Sequence, residues 1–173
     1  GSNILPPDEG LRGAVIQLGS AYFKQIRKDG EGRLVARAGA QNAQFIQTAL
    51  EAGLGGCEFL MGIPGNIGGS LAMNAGSHGE SLDRLVESIS LVDFEGNFKK
   101  IKKSEVPFAY RSSGLRDVII VEGAFSLPSR ERDLTQERRE HPRSGGGLSG
   151  MPRRVLRERR CGNDRLPLGI DVP

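Results

Sequence analysis

The first 127 residues predict an α+β fold, on three observations. Two pairs of β-prone segments fold back on glycine-bearing turns, Asp29-Gly-Glu-Gly32 and Glu95-Gly96. One segment between them, Gln41 to Ala52, has helical rather than alternating spacing of apolar residues. A last apolar run, Val118-Ile-Ile-Val121, has the β-branched composition of a strand.

Each element follows from its own residues. Ala14-Val-Ile-Gln-Leu18 is a short apolar run bounded by glycines, a strand candidate. Tyr22 to Arg27 and Arg33 to Arg37 flank the first turn and read as a hairpin. In Gln41 to Ala52, Phe45, Ile46, Ala49 and Leu50 share one helical face, and Gly53 ends the helix. Val86 to Asp93 alternates apolar and polar residues and turns at Glu95-Gly96 into Asn97 to Ile101, a second hairpin. Val118 to Val121 reads as a final buried strand.

Charge divides the chain. Residues 1–127 hold 13 Lys+Arg against 14 Asp+Glu, whereas residues 128–173 hold 11 against 7, so the net charge of +3 comes from the tail. All six lysines lie in the first part, and every basic residue of the tail is arginine. Leu, Ile, Val and Phe supply only 8 of the tail's 46 residues, too few for a core at that charge. Residues 128–173 therefore read as an Arg/Gly/Pro-rich tail, disordered or the product of a shifted reading frame. An arginine-rich segment could touch nucleic acid through phosphates, but seven acids interleave and no aromatic is available for stacking. Nucleic acid is not the expected partner. No run of about 18 apolar residues exists, which excludes a helical membrane span. Cys57 and Cys161 make neither a disulfide framework nor a metal cluster, so a reducing cytoplasm is the expected compartment.

The most informative segment runs from Gly62 to Gly79, Gly-Ile-Pro-Gly-Asn-Ile-Gly-Gly-Ser-Leu-Ala-Met-Asn-Ala-Gly-Ser-His-Gly. Clustered glycines let a backbone approach a ligand without a Cβ in the way, and consecutive amides can converge on an anion. A helix starting after Asn66 would add its N-terminal dipole. The alternative is a tight bend packed on a neighbouring strand, and composition alone leaves both open. The spacing matches neither the Gly-x-Gly-x-x-Gly dinucleotide fingerprint nor a P-loop.

In order, Gly62-Ile-Pro-Gly, Gly68-Gly69, Met73-Asn-Ala-Gly76 and Gly79 resemble the flavin loop of UDP-N-acetylenolpyruvoylglucosamine reductases. Three more blocks agree. Gly1-Ser-Asn-Ile-Leu5 is similar to the end of that family's phosphate loop, although Gly-Ser alone is also a common cloning scar. Gly53-Leu-Gly-Gly-Cys-Glu-Phe-Leu60 is similar to the approach to its second loop, and Phe108-Ala-Tyr-Arg-Ser-Ser113 resembles its Tyr-Arg-x-Ser motif. The resemblance implies the second subdomain of a vanillyl-alcohol-oxidase (PCMH-type) FAD-binding domain. It implies FAD as cofactor, NADPH as reductant, and a UDP-sugar enolpyruvate as the small-molecule substrate, in cell-wall peptidoglycan synthesis.

By that resemblance Arg111 is the catalytic arginine and Tyr110 a substrate-site residue. Ser2 and Asn3, together with Gly62, Ile63, Pro64, Gly68, Gly69, Asn74, Gly76 and Gly79, hold the cofactor. His78 stands where the family usually has tyrosine and reads as a solvated loop histidine; Cys57 occupies an apolar position and reads as core. The family's Gly-Ser-x-Phe-Lys-Asn-Pro motif, with its proton-donating serine, is absent, as is the family's C-terminal glutamate context. The chain is thus expected to be a fragment, truncated at both ends and lacking turnover. Another PCMH-type FAD oxidoreductase domain and a non-catalytic nucleotide-binding remnant remain the alternatives.

Overall fold

The chain divides into two units, Gly1–His141 and Pro142–Pro173. The computed structural model describes residues 5–11 and 13–130, all in the first unit. The remainder of the tail lies outside the described residues, as do Ser2 and Asn3.

Among the described residues the main sheet has five antiparallel strands: β1 (Ile26–Lys28), β2 (Arg33–Arg37), β5 (Val86–Asp93), β6 (Phe98–Lys102) and β7 (Val118–Ser126). Their spatial order is β1-β2-β7-β5-β6. The two edges are hairpins, each turned by the glycines the sequence indicates. The last strand in the sequence, β7, fills the centre. It pairs with β2 from Arg33↔Ser126 to Arg37↔Glu122 and with β5 from Val86↔Phe125 to Asp93↔Val118. Glu87 is skipped in the latter register, which bulges β5 there.

Two helices, α1 (Asn42–Glu51) and α2 (Ile67–Ala72), supply the layer that packs on the sheet. Phe45, Ile46 and Ala49 of α1 are buried, as their spacing predicts, and Gly53 follows in the left-handed region at φ +71°. Phe45 meets Phe125 of β7 edge-on at 4.9 Å between ring centroids. Ile67 and Leu71 of α2 join Leu34, Ala36, Ile89 and Phe125 in the same core. At Gly123 an added Cβ would stand 2.9 Å from Leu71 Cδ1 and 2.7 Å from the Phe125 ring, so a bare backbone lets α2 settle on the sheet. Cys57 is 1% exposed in this core, as expected, and burial pushes its thiol up to about 12.

Three expectations are corrected. Ala14–Leu18 forms no strand, and Val15 and Ile16 are exposed. A strand needs a ladder partner, and β1 and β6 close the sheet at its edges without it. The first hairpin strand begins at Ile26 rather than Tyr22, because Ala21–Lys24 is a 3₁₀ turn in which Tyr22 lies 3.7 Å from the Arg37 guanidinium. The last strand runs on to Ser126, and its Val118–Val121 portion is only half-buried. That portion has β5 on one side but lies beyond the β2 ladder. Backbone pairing also continues past Leu127: Gly55 N–H donates to Pro128 O and Arg130 N–H to Gly53 O, both at 3.0 Å.

Candidate functional site

The segment after α2 folds into a two-residue-turn hairpin. In it β3 (Gly76–Ser77) pairs with β4 (Glu80–Ser81) through His78 and Gly79. Both turn residues are left-handed, at φ +55° and +86°, which a turn of this hand requires. Gly76 must be bare, since a Cβ there would stand 2.1 Å from Glu80 O. Ser77 Oγ donates to Phe59 O at 2.6 Å, fastening the hairpin to the chain before the glycine loop.

A second tight turn faces it. Ala109 N–H donates to Ser112 O at 2.8 Å and Ser112 N–H returns to Ala109 O at 3.1 Å, which leaves Tyr110 and Arg111 at the tip. Arg111 is left-handed at φ +57°, a conformation costing a non-glycine residue on the order of 1–3 kcal/mol unless its surroundings impose it. They do. Ser113, fully buried, donates its N–H to Ala72 O at 2.9 Å. Asn74 Nδ2 donates to Ala109 O at 3.1 Å, while Asn74 Oδ1 accepts the Asp83 N–H at 3.0 Å.

Between the two turns lies a cleft of about 390 Å³, lined by Asn74, Gly76, His78, Gly79, Tyr110 and Arg111 among others. Tyr110 is 90% exposed, and the Arg111 guanidinium carbon stands 5.6 Å from its ring centroid. Among the described residues no carboxylate pairs with Arg111. The nearby acid Glu80 is taken by Arg84, whose guanidinium it holds above the ordinary range, and Asp83 accepts from Ser81 Oγ. The cleft therefore presents one guanidinium that no carboxylate among the described residues pairs with. His78 is exposed, with Nδ1 3.2 Å from Ser77 Oγ.

The remaining expected residues lie elsewhere. Gly62, Ile63 and Pro64 line a separate groove of about 410 Å³ against Ala43, Ile46 and Leu50 of α1. Gly68 and Gly69 sit in the first turn of α2. The helix does start after Asn66, but its first two amides are not offered to a ligand: Ile67 N–H donates to Ala40 O and Gly68 N–H to Ala38 O, each at 2.8 Å. The carbonyls leaving β2 claim them first. Gly69 is exposed, and a Cβ on it would enter open space. A polar cavity of about 600 Å³ lies at the same end of α2, lined by Ser20, Lys24, Gly39, Gln41 and Asn66 among others.

Asn42 escapes the sequence reading. It is 2% exposed, donates Nδ2 to Ile63 O at 3.1 Å, accepts Ser70 Oγ at 2.9 Å, and gives its N–H to Gly65 O at 3.0 Å. One side chain thus ties the Gly62–Gly65 loop to both helices. The only sequence signal is a polar residue at the start of the apolar face of α1. Among the described residues no cluster of His, Cys, Asp or Glu could hold a metal ion, and no helix is long and apolar enough to cross a membrane.

A family model described as "FAD binding domain" matches residues 1–102. The chain belongs to this FAD-binding family. That membership indicates FAD as the cofactor and agrees with the PCMH-type fold expected from the glycine-rich blocks. Over 138 residues the chain is 41% identical to the UDP-N-acetylenolpyruvoylglucosamine reductase of Pelobacter propionicus, which covers 79% of this chain and 46% of the relative. The reductase of the same name from Heliobacterium modesticaldum is 39% identical over 138 residues, covering 79% and 43%. Among solved structures, the UDP-N-acetylenolpyruvylglucosamine reductase (MurB) from Thermus caldophilus superposes with a TM-score of 0.53 at 25% identity, over 73% of this chain and 47% of that one. The resemblance read from the motifs is thereby borne out. The chain spans about half the length of the curated relatives it matches.

Proposed function

We infer that this FAD-binding domain serves the NADPH-dependent reduction of UDP-N-acetylglucosamine enolpyruvate to UDP-N-acetylmuramate, in peptidoglycan precursor synthesis. The observation that carries the reading is the Arg111 turn. It holds an uncommitted guanidinium at the rim of a cleft whose other wall is made by the glycine-loop residues Asn74, Gly76 and Gly79. An enolpyruvyl group bears a carboxylate conjugated to its alkene. A cation on that carboxylate stabilises the negative charge that builds there as hydride arrives at the far, methylene end of the alkene. Arginine suits the task because its planar fork meets a carboxylate in two parallel hydrogen bonds.

The cofactor fits the residues present. Gly69 and Gly79 are positions where a Cβ would project into open space, as a backbone surface against a ring system or phosphate requires. Lys24, Gln41 and Asn66 offer donors to a pyrophosphate in the polar cavity beside α2. Gly62, Ile63 and Pro64 complete the family's loop. When bound, FAD supplies the hydride. The chain's own residues supply position and charge: Arg111 fixes and neutralises the substrate carboxylate, and Tyr110 covers it. No Gly-Ser-x-Phe-Lys-Asn-Pro stretch occurs in these residues, so a polypeptide of these 173 residues alone is expected to hold flavin without turnover.

The reading is tested by titrating UDP-N-acetylglucosamine enolpyruvate into the FAD-loaded chain and following the flavin absorbance. A saturable perturbation, weakened at least tenfold by Arg111→Ala, is expected. A perturbation equal in Arg111→Ala and the parent, or equally strong with UDP-N-acetylglucosamine lacking the enolpyruvyl group, would overturn it.

A further inference from the structure

We propose that Asn74 is the positioning residue that sets Arg111, by pinning both rims of the cleft to one buried amide. The inference rests on the reading of Arg111 above, but its structural part stands independently.

Asn74 is counted by resemblance among the residues that hold the cofactor. Its geometry assigns it other work. The residue is 6% exposed and left-handed at φ +41°, next to Met73, the C-cap of α2. Each end of its side-chain amide is already engaged with backbone. Nδ2 donates to Ala109 O, the carbonyl that also closes the Tyr110–Arg111 turn by accepting from Ser112 N–H. Oδ1 accepts from Asp83 N–H, in the 3₁₀ turn Leu82–Arg84 that follows the β3–β4 hairpin.

The two rims are thus joined through one planar group, and Asn74 itself forms part of the wall between them. Asparagine suits the place for two reasons. It offers a donor and an acceptor on one rigid plane, and among non-glycine residues it tolerates the left-handed region best. The main-chain bond from Ser113 N–H to Ala72 O holds the turn's far side. Without Asn74 the near side keeps only the turn's own two hydrogen bonds, and one of the two anchors that hold Arg111 at its strained φ is lost.

Hydrogen exchange of the ligand-free full chain tests this, read at the Ala109 and Ser112 amides and compared with those of β7. Asn74→Ala is expected to lower protection at Ala109 and Ser112 at least tenfold while leaving Gly123 and Ala124 within twofold. Asn74→Gly, which removes the amide but accepts the positive φ, is expected to do the same, and covers the case in which the alanine variant fails to fold. Asn74→Asp keeps the shape. Its carboxylate cannot donate to Ala109 O, whereas its protonated form can. Protection at Ser112, corrected for intrinsic exchange, is therefore expected to recover as pH falls through that carboxyl's titration. A purely space-filling role gives no such profile.

Unchanged protection at Ala109 and Ser112 in Asn74→Gly overturns the proposal, and so does a pH-independent Asn74→Asp. Arg111→Ala separates the two claims. If it leaves enolpyruvate binding intact while the Asn74 results hold, the assignment of Arg111 fails and the pinning stands.

Discussion

Gly68 lies against Ala38 so closely that a Cβ added to it would stand 2.8 Å from the Ala38 Cβ and 3.1 Å from the Ala38 carbonyl oxygen. Both atoms belong to a short, rigid residue leaving β2, and neither can move aside like the end of a long side chain. Gly68→Ala is expected to destabilise the domain by about 1–3 kcal/mol through overpacking, less about 1 kcal/mol returned by alanine's better helix propensity. Its neighbour has the opposite surroundings. Gly69→Ala, with open space at the new Cβ, is expected to leave stability unchanged or raise it by up to about 1 kcal/mol. Urea unfolding of the two variants, followed by circular dichroism, checks the pair; equal effects at both positions would contradict the packing.

Asn42 is expected to be the costliest polar residue to truncate. Asn42→Ala strands the Ile63 carbonyl and the Ser70 hydroxyl at a buried site, a loss of about 2–4 kcal/mol. Ser70→Ala removes one hydrogen bond of the same set and is expected to cost less, about 1–2 kcal/mol. The ranking is read from unfolding midpoints at constant slope.

These two residues also mark what was legible in the sequence. The apolar spacing of Phe45, Ile46 and Ala49 located α1, and glycines at positive φ located the turns at Gly30–Gly32 and Gly96. Local pattern suffices where one face is buried or a turn needs a bare backbone. It fails where the deciding contact is distant. Asn42 bonds to residues 21 and 28 positions away, which no periodicity encodes. Ala14–Leu18 is apolar enough for a strand, but a sheet edge has to receive it. The β3–β4 ladder, two residues a side, is too short to alternate. The fold distributes the residues that the motif blocks name: Asn74, Gly76, Gly79, Tyr110 and Arg111 meet in one cleft, whereas Gly62–Pro64 line another groove.

Cys57 couples stability to alkaline pH. Burial, and secondarily the charge of Glu58, raises its thiol from an ordinary value near 9 to about 12. The folded state keeps the proton that the unfolded state loses, so stability is fully present below pH 9 and falls as pH rises toward about 12. The slope is about 1.4 kcal/mol per pH unit. In a Cys161→Ser background, Cys57→Ala is expected to abolish that slope. In the same background native protein is expected to resist thiol reagents at pH 8 and to react once unfolded in urea.

Asp93 gives the acid counterpart. The Lys99 ammonium at 2.9 Å, together with the Asn97 N–H and the Asn97 side chain, holds its carboxyl well below the ordinary range, at about 2. Its folded value is depressed, so its contribution is present above the ordinary carboxylate range and is lost as pH falls toward about 2. Carbon-detected NMR titration of the Asp93 carboxyl is expected to show that late midpoint, and Asp93→Asn is expected to loosen the Glu95–Asn97 turn at neutral pH.

Flavin binding by this domain is tested most directly by an equilibrium FAD titration of the 173-residue chain by flavin fluorescence, with Gly69→Leu beside the parent sequence. Gly69 faces open space, so leucine leaves the fold intact while occupying the surface assigned to the cofactor. Saturable one-to-one binding is expected, weakened at least tenfold in Gly69→Leu with an unchanged unfolding midpoint. Absence of saturable binding, or equal affinity in the two proteins, would contradict it.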